Sequence, residues 1–255
     1  MEKPVNVKQI ESFLKNTNLP FCICGDPEET VSGFSSLPRY REGTITWINS
    51  SEKLSALPSH VSVCVVQEGV QMAANTQIIS PKSKAVFFSI LENFWGDGPD
   101  DNTPAIGSGT VIGPNVQLGD HVRIGCNCTI QSLSVIGEDG YGYAEDESHI
   151  KTMVKHFGGV SIGDNVFIGC HTNIARGTID DTVIESGTKI APDTTISHND
   201  YIGKNASILC AKLYGSVVIG DNAYVSTCIV RNLVKVGSNA IVGMGSVVTK
   251  DIEDG

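Results

Sequence analysis

Aromatic side chains are scarce. Phe, Tyr and Trp make up 6% of the 255 residues, which excludes a core of stacked rings and points to an aliphatic interior. Positive charge is also short, with 18 Lys and Arg against 28 Asp and Glu for a net charge of −10. That balance argues against a non-specific grip on nucleic acid or on an anionic membrane surface. No apolar run approaches the roughly 18 residues of a membrane-spanning helix, and the first thirty residues show no basic start leading into an apolar stretch. The chain therefore reads as soluble and cytoplasmic, with no transmembrane segment. Its eight cysteines are spread over a chain too long to need disulfide staples. Neither Cys22-Ile23-Cys24 nor Cys126-Asn127-Cys128 has a second pair to complete a zinc site, so small buried thiols are expected.

Glycine, in contrast, is abundant at 27 residues, above its usual share of about 7%, and it accompanies a ladder. From Ile106 an aliphatic residue recurs at every sixth position, at Ile112, Leu118, Ile124, Ile130 and Ile136, and glycine follows it at 107, 113, 119, 125 and 137. The ladder resumes at Ile162, Ile168 and Ile174, then Ile184 to Ile208, Leu213 to Val225 and Val230 to Val248, twenty-one hexads altogether. A period of six fits neither the 3.6 of a helix nor the alternation of a lone strand. It fits a short strand and a sharp corner repeated around a triangular prism, with the aliphatic residue inside and Gly, Asn or Asp at the corner. At three hexads per coil this gives about seven coils, stacked at roughly 4.8 Å into a prism of about 30 Å.

Residues 1–100 lack the period and read as a small α/β domain. Ile10, Phe13 and Leu14 have helical spacing, and Ser80-Pro81 followed by KSKAVFFSILENFW reads as an N-cap, a first-turn proline and an amphipathic helix. Residues 44–49, 60–67 and 76–80 read as strands, and 96–103 (GDGPDDNT) as a linker. Residues 138–161 interrupt the ladder and must leave the prism as a loop, a usual place for substrate contacts; Tyr141 and Tyr143 there offer two rings.

Of the six histidines, His60 and His121 fall in structural contexts. His149 and His156 lie in the excursion and could touch a ligand. His171 and His198 sit at hexad corners, where a side chain can face a neighbouring subunit. Imidazole suits proton removal near neutral pH, as attack of an amine or hydroxyl on a thioester requires. The γ-type carbonic anhydrases, another hexapeptide class, hold zinc with three histidines, two of them about five residues apart. No such pair occurs here, so no metal is expected.

The hexads resemble the left-handed parallel β-helix of the acyltransferase superfamily, whose prisms assemble as homotrimers with sites between neighbours. The order of motifs is more specific and resembles the UDP-3-O-acylglucosamine N-acyltransferase family over nearly the whole chain. The motifs are VIGEDGYGY (135–143), GGVSIGD (158–164), RGTIDDT (176–182) and ISHN (196–199), preceded by GFSSLPRYREGTITWIN (33–49). The resemblance implies a mainly β protein with a uridine-binding domain at 1–100 and an acyltransferase β-helix at 101–255. It implies transfer of an acyl group from acyl-ACP or acyl-CoA to the amine of a UDP-linked amino sugar, for lipid A or another surface glycan. No cofactor is expected to be tightly bound; the acyl carrier protein or CoA thioester is a co-substrate. His198 falls at the catalytic base and Gly215 at the oxyanion glycine, although the stretch between their motifs differs from the family's by one residue. Trp47, Asn49, Tyr141, Tyr143, Asn199 and Asn232 are the candidate substrate-binding residues. Asn232 stands where the family has a second histidine, Ala191-Pro192 where Asp-Asn is common, and Lys53 near a tyrosine of the uracil sandwich. The ending, VGMGSVVTKDI (242–252), looks like the last coil of acetyl-CoA-dependent sugar transferases and lacks a helical tail. Lys204, Lys212, Arg231, Lys235 and Lys250 are candidates to meet an acidic carrier or CoA phosphates. Two alternatives remain open at this stage: a CoA-dependent sugar O-acetyltransferase, and a catalytically idle trimer that binds a nucleotide sugar.

Overall fold

The structure, a computed structural model, describes residues 4–50, 60–96, 103–145 and 149–255. Lys53 and most of the 96–103 stretch lie outside them. The chain forms two compact units, Met1–Asp100 with Tyr143–Lys155, and Asp101–Gly142 with His156–Gly255.

In the first unit, helix α1 (Val7–Leu14) starts in a capping box. The Asn6 side chain accepts from the Gln9 N–H and the Gln9 side chain from the Asn6 N–H, both at 2.9 Å, which satisfies two of the donors a helix start leaves over. The strands are β1 (Val5–Asn6), β2 (Cys22–Cys24), β3 (Thr30–Val31), β4 (Gly33–Phe34), β5 (Thr44–Ile48), β6 (Val63–Gln67) and β7 (Thr76–Ser80). Five of them make a sheet in the order β2-β7-β6-β5-β4, parallel apart from the antiparallel β2–β7 pair. Val63 to Val66 are all buried, as expected of a central parallel strand covered on both faces. Burial pushes the Cys64 thiol up to about 12, so it stays protonated at neutral pH. Helix α2 (Ser83–Trp95) buries Val86, Phe87, Ile90 and Leu91.

The expected cap at Ser80 is not what starts α2. The Ser80 hydroxyl donates to the Pro20 carbonyl at 2.6 Å and accepts from the Lys82 N–H at 2.9 Å, and the helix begins only at Ser83, without a side-chain cap. Ser80 is the end of β7, and its oxygen serves a contact sixty residues away in sequence. Within the excursion, Tyr143–Glu145 and Lys151–Met153 pair as an antiparallel hairpin and group with this unit.

The second unit is a parallel β-solenoid of three seven-stranded sheets. The ladder residues lie directly over one another. One column runs Leu118, Ile136, Ile174, Ile196, Leu213, Val230, Val248, and an isolated bridge from Val236 to Ile252 begins a further rung. From Ile124 onward these side chains are nearly all fully buried and form one aliphatic cluster.

Asn, Gly and Asp take most of the left-handed corner positions, as expected, but not directly after the rung. The glycine after the rung has no positive φ at Gly125; its role is clearance, since a Cβ at Gly107 would lie 2.5 Å from the Gly125 carbonyl carbon of the next coil. The left-handed residue instead falls three positions after the rung and is most often asparagine, as at Asn115, Asn127, Asn165, Asn205 and Asn239. Asparagine tolerates that region better than most residues. At two corners the rung-to-rung spacing drops to five, and the left-handed residue moves one place forward, to Cys210 and Thr227. The cysteines also depart from the reading of small buried thiols: Cys64, Cys128 and Cys228 are buried, whereas Cys22, Cys24 and Cys210 are exposed.

Candidate active site

His198 follows the short strand Thr195–Ile196 and turns with Asn199, whose φ is +64°. The left-handed turn aims the Asn199 side chain back across the coil. Its Oδ1 accepts from the Thr178 N–H at 2.7 Å, so its Nδ2 faces His198 Nδ1, 3.1 Å away. Because Thr178 supplies a fixed donor, Asn199 is held as the donor to the imidazole.

On the following coil, Gly215 lies against the ring. A Cβ there would sit 2.7 Å from His198 Cε1 and 3.0 Å from Nε2, so only glycine leaves the ring its place. The Ser216 N–H donates to the His198 carbonyl at 3.0 Å, which ties the two corners together. The Gly215 N–H itself has no hydrogen-bond partner among the described residues. Behind both corners lies Asp200, fully buried, accepting from the Val217 N–H at 2.8 Å and from the Ser197 N–H at 3.0 Å. Burial pushes its carboxyl well above the usual range, against the opposing pull of those two donors.

A second imidazole completes the centre. His156 is 2% exposed, and its ring packs on that of His198 with centroids 5.5 Å apart and planes at 79°. The Gly140 N–H donates to His156 Nε2 at 3.2 Å. The surrounding backbone is stitched across coils: the Phe157 N–H donates to the Thr178 carbonyl at 3.0 Å, and the Arg176 Nε–H to the Gly158 carbonyl at 2.7 Å. Arg176 also lies 3.9 Å from the Asp139 carboxylate. Nearby His121 is held below its ordinary value, by desolvation first and then by the Arg176 charge.

Of the residues singled out in the sequence, His198, Asn199 and Gly215 thus come together. Asn232 is exposed beside Leu233, whose N–H donates to the Gly215 carbonyl at 3.2 Å. Tyr141 is 84% exposed. Trp47, Asn49 and Tyr143 belong to the first unit. There Trp47 is half-buried and stacks on Phe87 at 6.0 Å and 24°, so its ring serves helix packing; Asn49 is exposed just beyond β5, and the Tyr143 carbonyl accepts from Lys84. His149 and His171 are exposed, and His171 faces Asp193. The five basic residues are exposed but make no single patch, because the strand register puts Lys212 and Lys235 on different faces of the prism. Among the described residues no cluster of His, Cys, Asp or Glu is placed to hold a metal ion, and no helix is long and apolar enough to cross a membrane. A cavity of about 750 Å³ lies within the first unit between α2 and the hairpin, lined by Phe88, Met153 and Val154, and it contains none of the histidine chemistry. His156, in the sequence one of two loop histidines that could touch a ligand, joins the centre, and Asp200, which the sequence does not single out, lies behind it. Asp200 occupies the buried position two residues before a rung, as Thr188 and Thr194 do, so the period alone does not distinguish it; no hexad marks His156, although the run Lys155-His156-Phe157-Gly158-Gly159 at the return to the ladder is a signal.

Fold and repeat together define a hexapeptide-repeat solenoid of the kind found in bacterial transferases, and a model of six such repeats matches residues 103–138. The resemblance to one transferase group holds at the level of sequence. The chain is 34% identical over 151 residues to a UDP-3-O-acylglucosamine N-acyltransferase of Janthinobacterium sp. (strain Marseille), covering 58% of this chain and 43% of that protein. It is 40% identical over 117 residues to the protein of that name from Hahella chejuensis, covering 46% and 33%. The chain thus spans less than half the length of these curated relatives. Among solved structures, a UDP-N-acetylglucosamine acyltransferase from Campylobacter jejuni superposes with a TM-score of 0.52 at 17% identity, over 86% of this chain and 64% of that one. LpxA from Acinetobacter baumannii gives 0.51 at 24%, over 76% and 64%. At such identities these two speak for the fold alone.

Proposed function

We propose that this chain is a sugar N-acyltransferase that moves an acyl group from a thioester, of acyl carrier protein or CoA, to the amine of a UDP-linked amino sugar. The observation that carries the reading is the His198 ring packed against Gly215 of the next coil, whose N–H has no hydrogen-bond partner among the described residues. An amide donor beside a base is what acyl transfer needs. The sugar amine attacks the thioester carbonyl while His198 takes its proton; the carbonyl oxygen becomes an oxyanion that the Gly215 N–H can stabilise. Collapse re-forms the carbonyl, breaks the C–S bond and releases a thiolate that recovers the proton from the imidazolium. The products are an amide and a thiol.

The names of the curated relatives support a UDP-3-O-acylglucosamine acceptor and a place in lipid A or a related surface glycan. The left-handed winding, the uridine-binding role of residues 1–100 and the cytoplasmic setting are carried over with the same resemblance. A homotrimer is supported by exposed apolar side chains stacked on neighbouring late strands, Tyr224 beside Ile241 on one face of the prism and Ile229 beside Val247 on another, since soluble monomers rarely leave such side chains grouped in water. The test is turnover of UDP-linked amino sugars with acyl-CoA and acyl carrier protein donors. His198→Ala is expected to lower kcat by at least about 100-fold, and turnover near wild type would overturn the assignment. A product released by mild base would be an ester and would favour O-acylation instead.

A further inference from the structure

We propose that His156 is a positioning residue for His198, held in register by the backbone of Gly140. The proposal rests on the reading of His198 as the base.

His156 is buried almost completely, where an imidazole is kept only if its nitrogens are satisfied. Its Nε2 accepts from the Gly140 N–H, so Nε2 carries no proton and the neutral ring bears it on Nδ1. The fixed ring then meets His198 nearly edge to face, an arrangement aromatic pairs prefer. Gly140 is the hinge of this contact: a Cβ at that position would lie 2.8 Å from His198 Cδ2 and 3.2 Å from His156 Nε2. His198 is therefore bounded by Gly140 and His156 on one side, Gly215 on another and Asn199 at Nδ1. Asn199 and His156 are joined behind the ring, because Thr178 bonds Asn199 through its N–H and Phe157 through its carbonyl. A ring packed by Gly140, His156 and Gly215 and hydrogen-bonded at Nδ1 loses little freedom when substrate arrives, which is the gain from orientation. A second histidine thus serves the site, although Asn232 replaces the one that the family places elsewhere.

The nitrogen that receives the Gly140 hydrogen bond makes the test specific. Glutamine places an acceptor where Nε2 stands; asparagine places one where Nδ1 stands. His156→Gln is expected to keep kcat within about threefold of wild type, and His156→Asn to lose roughly 10- to 100-fold, with KM for both substrates within about twofold. In the ligand-free protein the His198 ring Cε1–H resonance, assigned by its loss in His198→Ala, is expected to move in His156→Asn and to stay in place in His156→Gln. Equal effects of the two variants on kcat and on that resonance would overturn the proposal. Were His198→Ala to retain turnover, the base assignment would fail, while the resonance comparison would still decide whether His156 positions the ring.

Discussion

The orientation of one carboxamide governs what His198 can do. Asn199 Oδ1 is occupied by the Thr178 N–H, so its amide donates to Nδ1 and leaves the neutral ring protonated on Nε2. Base catalysis at Nε2 requires the other tautomer and hence release of that bond, worth about 1 kcal/mol. An aspartate could accept from Thr178 and from the imidazole together. Asn199→Asp is expected to shift the acidic limb of the kcat/KM profile to higher pH, because a carboxylate beside the ring favours the imidazolium; an unmoved limb in a pH-rate series would contradict this. Asp200 gives a second titration. Its native value lies above the ordinary 3.8, so between the two the folded state holds a proton that the unfolded state has lost. Stability should then fall as pH rises from 3.8 through the native value and level off above it. Urea unfolding at a series of pH values is expected to show this slope in the wild type and not in Asp200→Asn. These residues also mark the limit of the sequence. His198 was legible from its corner and motif, but His156 meets it ring to ring from the return of the excursion, and no period relates positions 140, 156 and 198.

Among elements, the solenoid strands were the most legible, because each rung buries one aliphatic side chain and the spacing repeats whatever the rest of the coil contains. Ile196 stacks between Ile174 and Leu213, facing the interior as the period of six requires. The start of α2 was not, because Ser80 satisfies Pro20 across the unit, a tertiary use of a hydroxyl that a local cap signal cannot distinguish. Corners hold a second lesson. Most left-handed positions carry Asn or Gly, but Leu233 adopts φ +66° while 68% exposed. A branched aliphatic there sacrifices roughly 1 kcal/mol of backbone energy with little burial in return. Leu233→Asn is expected to raise stability by about that amount in denaturant titration; a lower midpoint would show that the leucine makes a contact worth more than its strain.

The whole molecule combines a net charge of −10 with apolar outer faces late in the solenoid. If those faces meet in a trimer, Ile241→Glu and Val247→Glu together should yield a monomer by sedimentation velocity, with the solenoid's circular dichroism retained; an unchanged sedimentation coefficient would place the interface elsewhere. The two shortened corners bear on how this architecture changes length. The spacing of five at Cys210 falls between His198 and Gly215, yet the column from Ile196 to Leu213 stays in register and the glycine still meets the ring. A residue can therefore be deleted at a corner and the loss absorbed before the next strand begins. Sites on such a prism are inherited by rung, not by residue count. Alignments that tally positions would misplace partners downstream of each short corner, whereas alignments that tally coils would find them.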